Sequence, residues 1–257
     1  MKYLIKISYL GTKYCGFQIQ PNQITIQGEL ERAANTIFAK NNAVVSGCSR
    51  TDTGVHAREY YACVQSDDCP SIPPDNFTKA MNTFLPEDIC VNGSWTVKDD
   101  FRIKRAVIGK RYEYVIRNTQ TPDPFDCDRS FYYPREIDDS VMNKTAEYFI
   151  GKHDFKSFMA SGSEIENTVR TISECSVKRD RNYVKIRIAA DGFLYNMVRI
   201  ICGTLLEVSE KKLKSEDVKE IINKCERKEA GRTLPGCGLF LDEVFLDYEY
   251  VKENLVR

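Results

Sequence analysis

The chain is 257 residues long, 42% hydrophobic and 29% charged, a composition that suits either one large globular domain or two smaller ones. Its 37 basic and 37 acidic residues cancel, so any nucleic-acid partner has to be held by a local basic cleft and not by overall charge. No apolar run approaches the roughly 20 residues of a membrane span, and Met1-Lys2-Tyr3-Leu4-Ile5-Lys6 alternates like a strand instead of a signal-peptide core, which excludes a membrane role and predicts a cytoplasmic protein.

Tyr3, Ile5, Ile7 and Tyr9 fall on one face of an alternating strand that runs into Gly11. Over residues 26–39, Leu30, Ala33, Ala34, Ile37 and Phe38 make one apolar stripe at three-and-four spacing, which predicts a helix packed on the sheet. Strands are expected at 43–48 and 59–64, a second helix at 75–84 just after Pro73-Pro74, and a strand at 89–97. The second half repeats that order, with a strand at 107–117, a helix at 140–150, strands at 172–178 and 183–189, a helix at 194–208 and a last strand at 239–248. An extra helix fits 216–224, where Ser215 can cap and Glu216 and Asp217 suit the positive end of the dipole. Residues 119–134 carry three prolines and read as a long loop.

The expected fold class is therefore α+β: two tandem ferredoxin/RRM-like β-α-β-β-α-β halves, 1–105 and 106–257, forming a continuous mainly antiparallel sheet with helices on one side and a central cleft. The ten cysteines are scattered, no two stand as Cys-x-x-Cys, and His56 and His153 are the only histidines. No zinc spacing can be assembled, so free thiols in a reducing compartment and no metal are expected.

The densest cluster of reactive residues is Ser49-Arg50-Thr51-Asp52-Thr53-Gly54-Val55-His56-Ala57. Arg50 supplies a cation near the Asp52 carboxylate, and Gly54 permits a tight backbone at a strand end. By spacing alone, an ordinary surface hairpin fits these residues about equally well.

Further strings follow in order. They are 9–21 (Tyr-Leu-Gly-Thr-Lys-Tyr-Cys-Gly-Phe-Gln-Ile-Gln-Pro), Asn82 with Leu85-Pro86, Lys110-Arg111-Tyr112-Glu113-Tyr114 and His153-Asp154-Phe155. Asp191-Gly192-Phe193-Leu194, Met197-Val198-Arg199, Gly203-Thr204-Leu205-Leu206, Ala230-Gly231-Arg232-Thr233 and Gly238-Leu239-Phe240-Leu241 complete the series. With the Arg50-Thr51-Asp52 block, this series resembles the TruA-type tRNA pseudouridine synthases over almost the full length. A lone Arg-Thr-Asp would say little; the order of the strings carries the resemblance.

The resemblance implies isomerisation of uridine to pseudouridine in the tRNA anticodon stem-loop, at positions 38–40, by a cytoplasmic homodimer that needs no cofactor. No Gly-x-Gly-x-x-Gly or P-loop is present, in keeping with that chemistry. By resemblance Asp52 is the essential carboxylate, acting as nucleophile or base by attack at C1′, addition to uracil C6 or removal of a proton from C2′. Arg199 matches the family's cation, and Tyr112 its active-site phenol, able to stack on an extruded uracil and assist proton transfer. Arg50 matches a residue that fills the space left by the flipped nucleotide, Leu239 one that lines the uracil pocket, and Lys110 and Arg111 are candidate RNA contacts in the central cleft, with Lys104-Arg105, Arg170, Lys178-Arg179 and Arg181 as further basic clusters. Ser49, Thr53, Arg102-Ile103-Lys104 and Tyr195-Asn196 depart from the usual pattern, a difference that bears on which uridine is read.

Two other classes fit less well. A silent RNA-binding module of RRM type would show aromatic strings on the first strand that are absent from 3–9, and a glycosidase would need a second carboxylate linked to Asp52.

Overall fold

The computed structural model describes residues 1–40, 42–67, 70–162 and 165–256. In chain order the elements are β1 (Lys2–Tyr9), α1 (Ile26–Phe38), β2 (Val44–Gly47), β3 (His56–Gln65), α2 (Pro74–Phe84), β4 (Ile89–Val97), α3 (Ile103–Ala106), β5 (Val107–Arg117) and β6 (Phe131–Tyr132). They continue with α4 (Asp139–Ala146), β7 (Gly151–Asp154), β8 (Val169–Asp180), β9 (Tyr183–Ala190), α5 (Met197–Ser209), α6 (Asp217–Lys224), β10 (Leu239–Leu246) and α7 (Tyr248–Asn254). The chain forms two compact units, one of residues 1–108 with 241–257, the other of residues 109–240.

In the first unit the strand order is β4-β1-β3-β10, with β2 also paired to β3. β1 is antiparallel to both neighbours and places Ile5 opposite Ala62 and Ser94. Alternation then decides the faces: Tyr3, Ile5 and Ile7 are fully buried. The Tyr3 ring stacks at 4.1 Å on Phe77 of α2, which in turn stacks at 5.8 Å on Phe38 of α1, so strand and helices share one core. Each such aromatic contributes about 1.5–3 kcal/mol by leaving water. Thr25 caps α1 by accepting from the Gly28 amide, and α2 begins at Pro74, whose missing N–H costs nothing in a first turn. Asn82 bonds to both the amide and the carbonyl of Val91 at 2.8 Å, which fastens the end of α2 to β4.

In the second unit the order is β5-β9-β8-β7, with the short β6 parallel to β5. β5 and β9 pair so that Tyr112 faces Ile188 and Tyr114 faces Ile186. α5 is buried nearly all round, from Met197 to Val208, as the apolar run of its sequence requires. Within each unit helices pack on a mainly antiparallel sheet, which is the α+β class expected from the sequence.

Some elements differ from expectation. The helix expected at 140–150 tightens after Ala146 into a 3-10 turn, Glu147–Phe149, which tucks the fully buried Phe149 inward, and Gly151 at φ +113° then opens β7. α5 starts three residues later than its apolar pattern, because Asn196 adopts a left-handed conformation at φ +59°. The last strand ends at Leu246, where Asp247 accepts from the Tyr250 amide and starts α7.

Candidate active site

The first unit holds the stretch from Ser49 to Ala57 as a pinned loop. Tyr60 on β3 donates its hydroxyl to the Ser49 carbonyl at 2.6 Å, and the Tyr9 hydroxyl bonds to Thr51 Oγ1 at 2.8 Å in a buried contact. The Phe17 amide donates to the Thr51 carbonyl at 3.1 Å and the Gly54 amide to the Tyr14 carbonyl at 3.3 Å. A turn closed by the Val55 amide on the Asp52 carbonyl, with Gly54 at φ +75°, presents the half-buried Asp52; Arg50 lies exposed just before it.

Two close approaches explain the glycines of the 9–21 string. A Cβ on Gly11 would sit 2.0 Å from the Val55 carbonyl oxygen, and one on Gly16, already at φ +82°, would sit 2.5 Å from that of Thr51. The Gly11 amide also donates to Nδ1 of His56 at 2.9 Å, and the His56 ring is fully buried. His56, unassigned on sequence grounds, is thus a clasp between the 9–21 string and the Asp52 loop. The accepting Nδ1 fixes the proton on Nε2. The one signal in the sequence is its place in the same string as Asp52.

The remaining sequence-predicted site residues belong to the second unit. Tyr112 on β5 is buried, with its ring edge-on to Phe193 at 5.0 Å and 87°. Lys110 and Arg111 precede it, partly exposed, and as consecutive strand residues they point to opposite faces. Tyr114, two residues on, donates its hydroxyl to the Pro235 carbonyl at 2.8 Å, and burial holds its phenol well above the ordinary range. The Gly236–Gly238 turn passes against that ring: a Cβ on Gly238 would lie 2.8 Å from it. The turn delivers Leu239, 5% exposed, as the first residue of β10.

Arg199 lies in the first turn of α5. Its Nε donates to the Leu234 carbonyl and its Nη1 to the Asn196 side-chain oxygen, each at 2.6 Å.

The other basic candidates divide. Arg179 is bound to Asp139 at 2.6 Å and to the Ile137 carbonyl, so it serves the α4 end of the fold, whereas Lys178 is exposed on the opposite face of β8. Arg105 lies 5.1 Å over the Tyr250 ring. Among the described residues no three His, Cys, Asp or Glu side chains gather into a metal-sized cluster.

A family profile described as tRNA pseudouridine synthase matches residues 145–247. Over 239 residues the chain is 43% identical to tRNA pseudouridine synthase A of Acetivibrio thermocellus, covering 93% of this chain and 97% of that one. It is 44% identical to the protein of the same name from Clostridium botulinum strain Eklund 17B, with the same two coverages. It is 41% identical over 241 residues to tRNA pseudouridine synthase A 2 of Clostridium perfringens, covering 94% and 98%.

Proposed function

The chain belongs to the tRNA pseudouridine synthase A family, and from that premise we propose that it isomerises uridines on the 3′ side of the anticodon, in the tRNA anticodon stem-loop, with Asp52 as the essential carboxylate. The observation that carries the assignment of Asp52 is the rigidity of its loop: main-chain and hydroxyl bonds on both sides hold a half-buried carboxylate where a reacting sugar or base can be presented to it. In the reaction the N1–C1′ bond breaks, the uracil turns, C5 bonds to C1′, and N1 ends with the proton that C5 gives up. All three routes, attack at C1′, addition at C6 and proton removal at C2′, start from the ionised carboxylate.

Tyr112 is the phenol that stacks on the extruded base, Arg199 the reaction's fixed cation, Arg50 the side chain that replaces the flipped nucleotide, and Leu239 an apolar wall for the uracil. Lys110 and Arg111 contact the RNA backbone. The buried ring of Tyr112 and the two-point anchoring of Arg199 support these roles, since groups acting on a transition state must be held before it forms. The family likeness further supports a cytoplasmic homodimer acting on tRNA. No helix among the described residues is long and apolar enough to cross a membrane.

The test is Asp52→Asn with an anticodon stem-loop substrate. RNA binding persists and pseudouridine formation is lost; full turnover by the variant removes Asp52 from the mechanism.

A further inference from the structure

Asn196 occupies the position before α5 where an asparagine ordinarily caps the helix by accepting from one of its first amides, yet its side chain makes no such bond. The carboxamide oxygen instead accepts from Nη1 of Arg199 at 2.6 Å. The backbone explains the diversion. At φ +59° and ψ 10° Asn196 is left-handed, a conformation that asparagine tolerates better than most residues. The helix starts without a side-chain cap, through main-chain bonds from Met197 to Leu194 and from Ile200 to Asn196.

The second anchor of Arg199 is equally built. Its Nε donates to the Leu234 carbonyl, and the Leu234 amide returns a bond of 3.3 Å to the Arg199 carbonyl. Leu234 ends a strap, residues 230–234, that lies along α5 at backbone contact. A Cβ on Gly203 would meet the Arg232 carbonyl oxygen at 1.8 Å, and one on Gly231 would sit 2.6 Å from the main chain of Thr204. Thr204 Oγ1 accepts from the Gly231 amide at 2.9 Å, and Glu207 accepts from the Arg232 amide at 3.0 Å. Two short bonds to adjacent nitrogens of a planar fork fix both its plane and its rotation in that plane.

We propose that Asn196 is a positioning residue: it holds the guanidinium of Arg199, together with the strap carbonyl of Leu234, in the single orientation used in the reaction. The inference rests on the role assigned to Arg199 above. It makes the 230–233 string and the Gly203-Thr204 string parts of the same device, since both serve to place the Leu234 carbonyl.

The experiment compares Asn196→Gly, Asn196→Asp and Arg199→Gln in single-turnover pseudouridine formation, with tRNA affinity and thermal melting measured for each. Glycine keeps the left-handed backbone and loses the acceptor; aspartate keeps an acceptor oxygen. The expected result is a fall in rate of about tenfold for Asn196→Gly, with tRNA affinity within about twofold of wild type, and a near wild-type rate for Asn196→Asp. A wild-type rate for Asn196→Gly beside an inactive Arg199→Gln overturns the positioning role and leaves the role of Arg199 standing. A wild-type rate for Arg199→Gln overturns the reading of Arg199 itself. A fall in rate that Asn196→Asp does not restore also overturns the inference, because the acceptor is then not what matters. Where melting shows the glycine variant to be destabilised, the three rates are compared at a temperature below its melting point, with the same outcomes.

Discussion

The pose of the Asp52 loop turns on His56, whose buried Nδ1 is the acceptor for the Gly11 amide. Replacement by leucine leaves that amide buried without a partner, at a cost of about 1–3 kcal/mol. His56→Leu should therefore lower the free energy of unfolding in urea by that amount and reduce turnover, while His56→Asn, which keeps an acceptor, should recover part of both. Tyr112 poses a sharper question, because its ring is buried and edge-on to Phe193, so packing alone accounts for an aromatic there. In Tyr112→Phe the fold is retained; if the phenol assists proton transfer, the single-turnover rate falls by about 10²–10⁴ with tRNA affinity unchanged, whereas a near-normal rate leaves only stacking. The turn that carries Asp52 was legible in the sequence because Thr-Asp-Thr-Gly is local turn chemistry. The role of His56 was not, since its partner lies 45 residues away and no periodicity marks a side chain that accepts from a distant backbone amide.

Among the elements, the strap beside α5 has a titratable lock. Glu210 accepts from both terminal nitrogens of Arg232, from the Tyr133 hydroxyl and from Lys212, and the bonds from Arg232, against the opposing effect of burial, hold its carboxyl down at about 2 from an ordinary 4.5. A lowered folded value means that this stabilisation is complete above about pH 4.5 and is lost as pH falls towards 2. Urea unfolding followed across that window should show a steeper acid loss for the wild type than for Glu210→Gln. The long periodic elements were readable from sequence: β1 and α5 bury the apolar residues their spacing singles out, and α1 buries Leu30, Ala33, Ala34 and Phe38 of its stripe while Ile37 stays half-buried. The short ones were not. β7 is four residues with no alternation, opened by a glycine at φ +113°, and α3 is one turn; both owe their form to neighbours and not to local pattern. α7 did carry a signal, an aspartate immediately after the last buried strand position, which an extended reading of 239–248 passed over.

For the whole molecule, zero net charge makes RNA binding a matter of local cations, so tRNA affinity should fall linearly on a log–log plot against salt, with a slope of about −0.9 per phosphate contacted on duplex. A flat plot would contradict contacts of the Lys110 and Arg111 kind. The first unit is built from two separated stretches, because β10, supplying the buried Leu241, Val244 and Leu246, pairs with β3. A fragment of 1–108 alone is expected to lack cooperative unfolding by circular dichroism, and supplying 241–257 should restore it.

That discontinuity sets a clock on synthesis. The ribosome makes residues 109–240 between the two parts of the first unit, and at about 10 residues per second the β3 edge waits more than about ten seconds for its last partner. Through that interval β3 exposes the backbone edge that β10 will cover, a template for pairing with another nascent chain. Slowing translation near the 3′ end of the message should therefore lower the soluble yield of this protein, and the same delay placed within the first hundred or so codons should leave it unchanged.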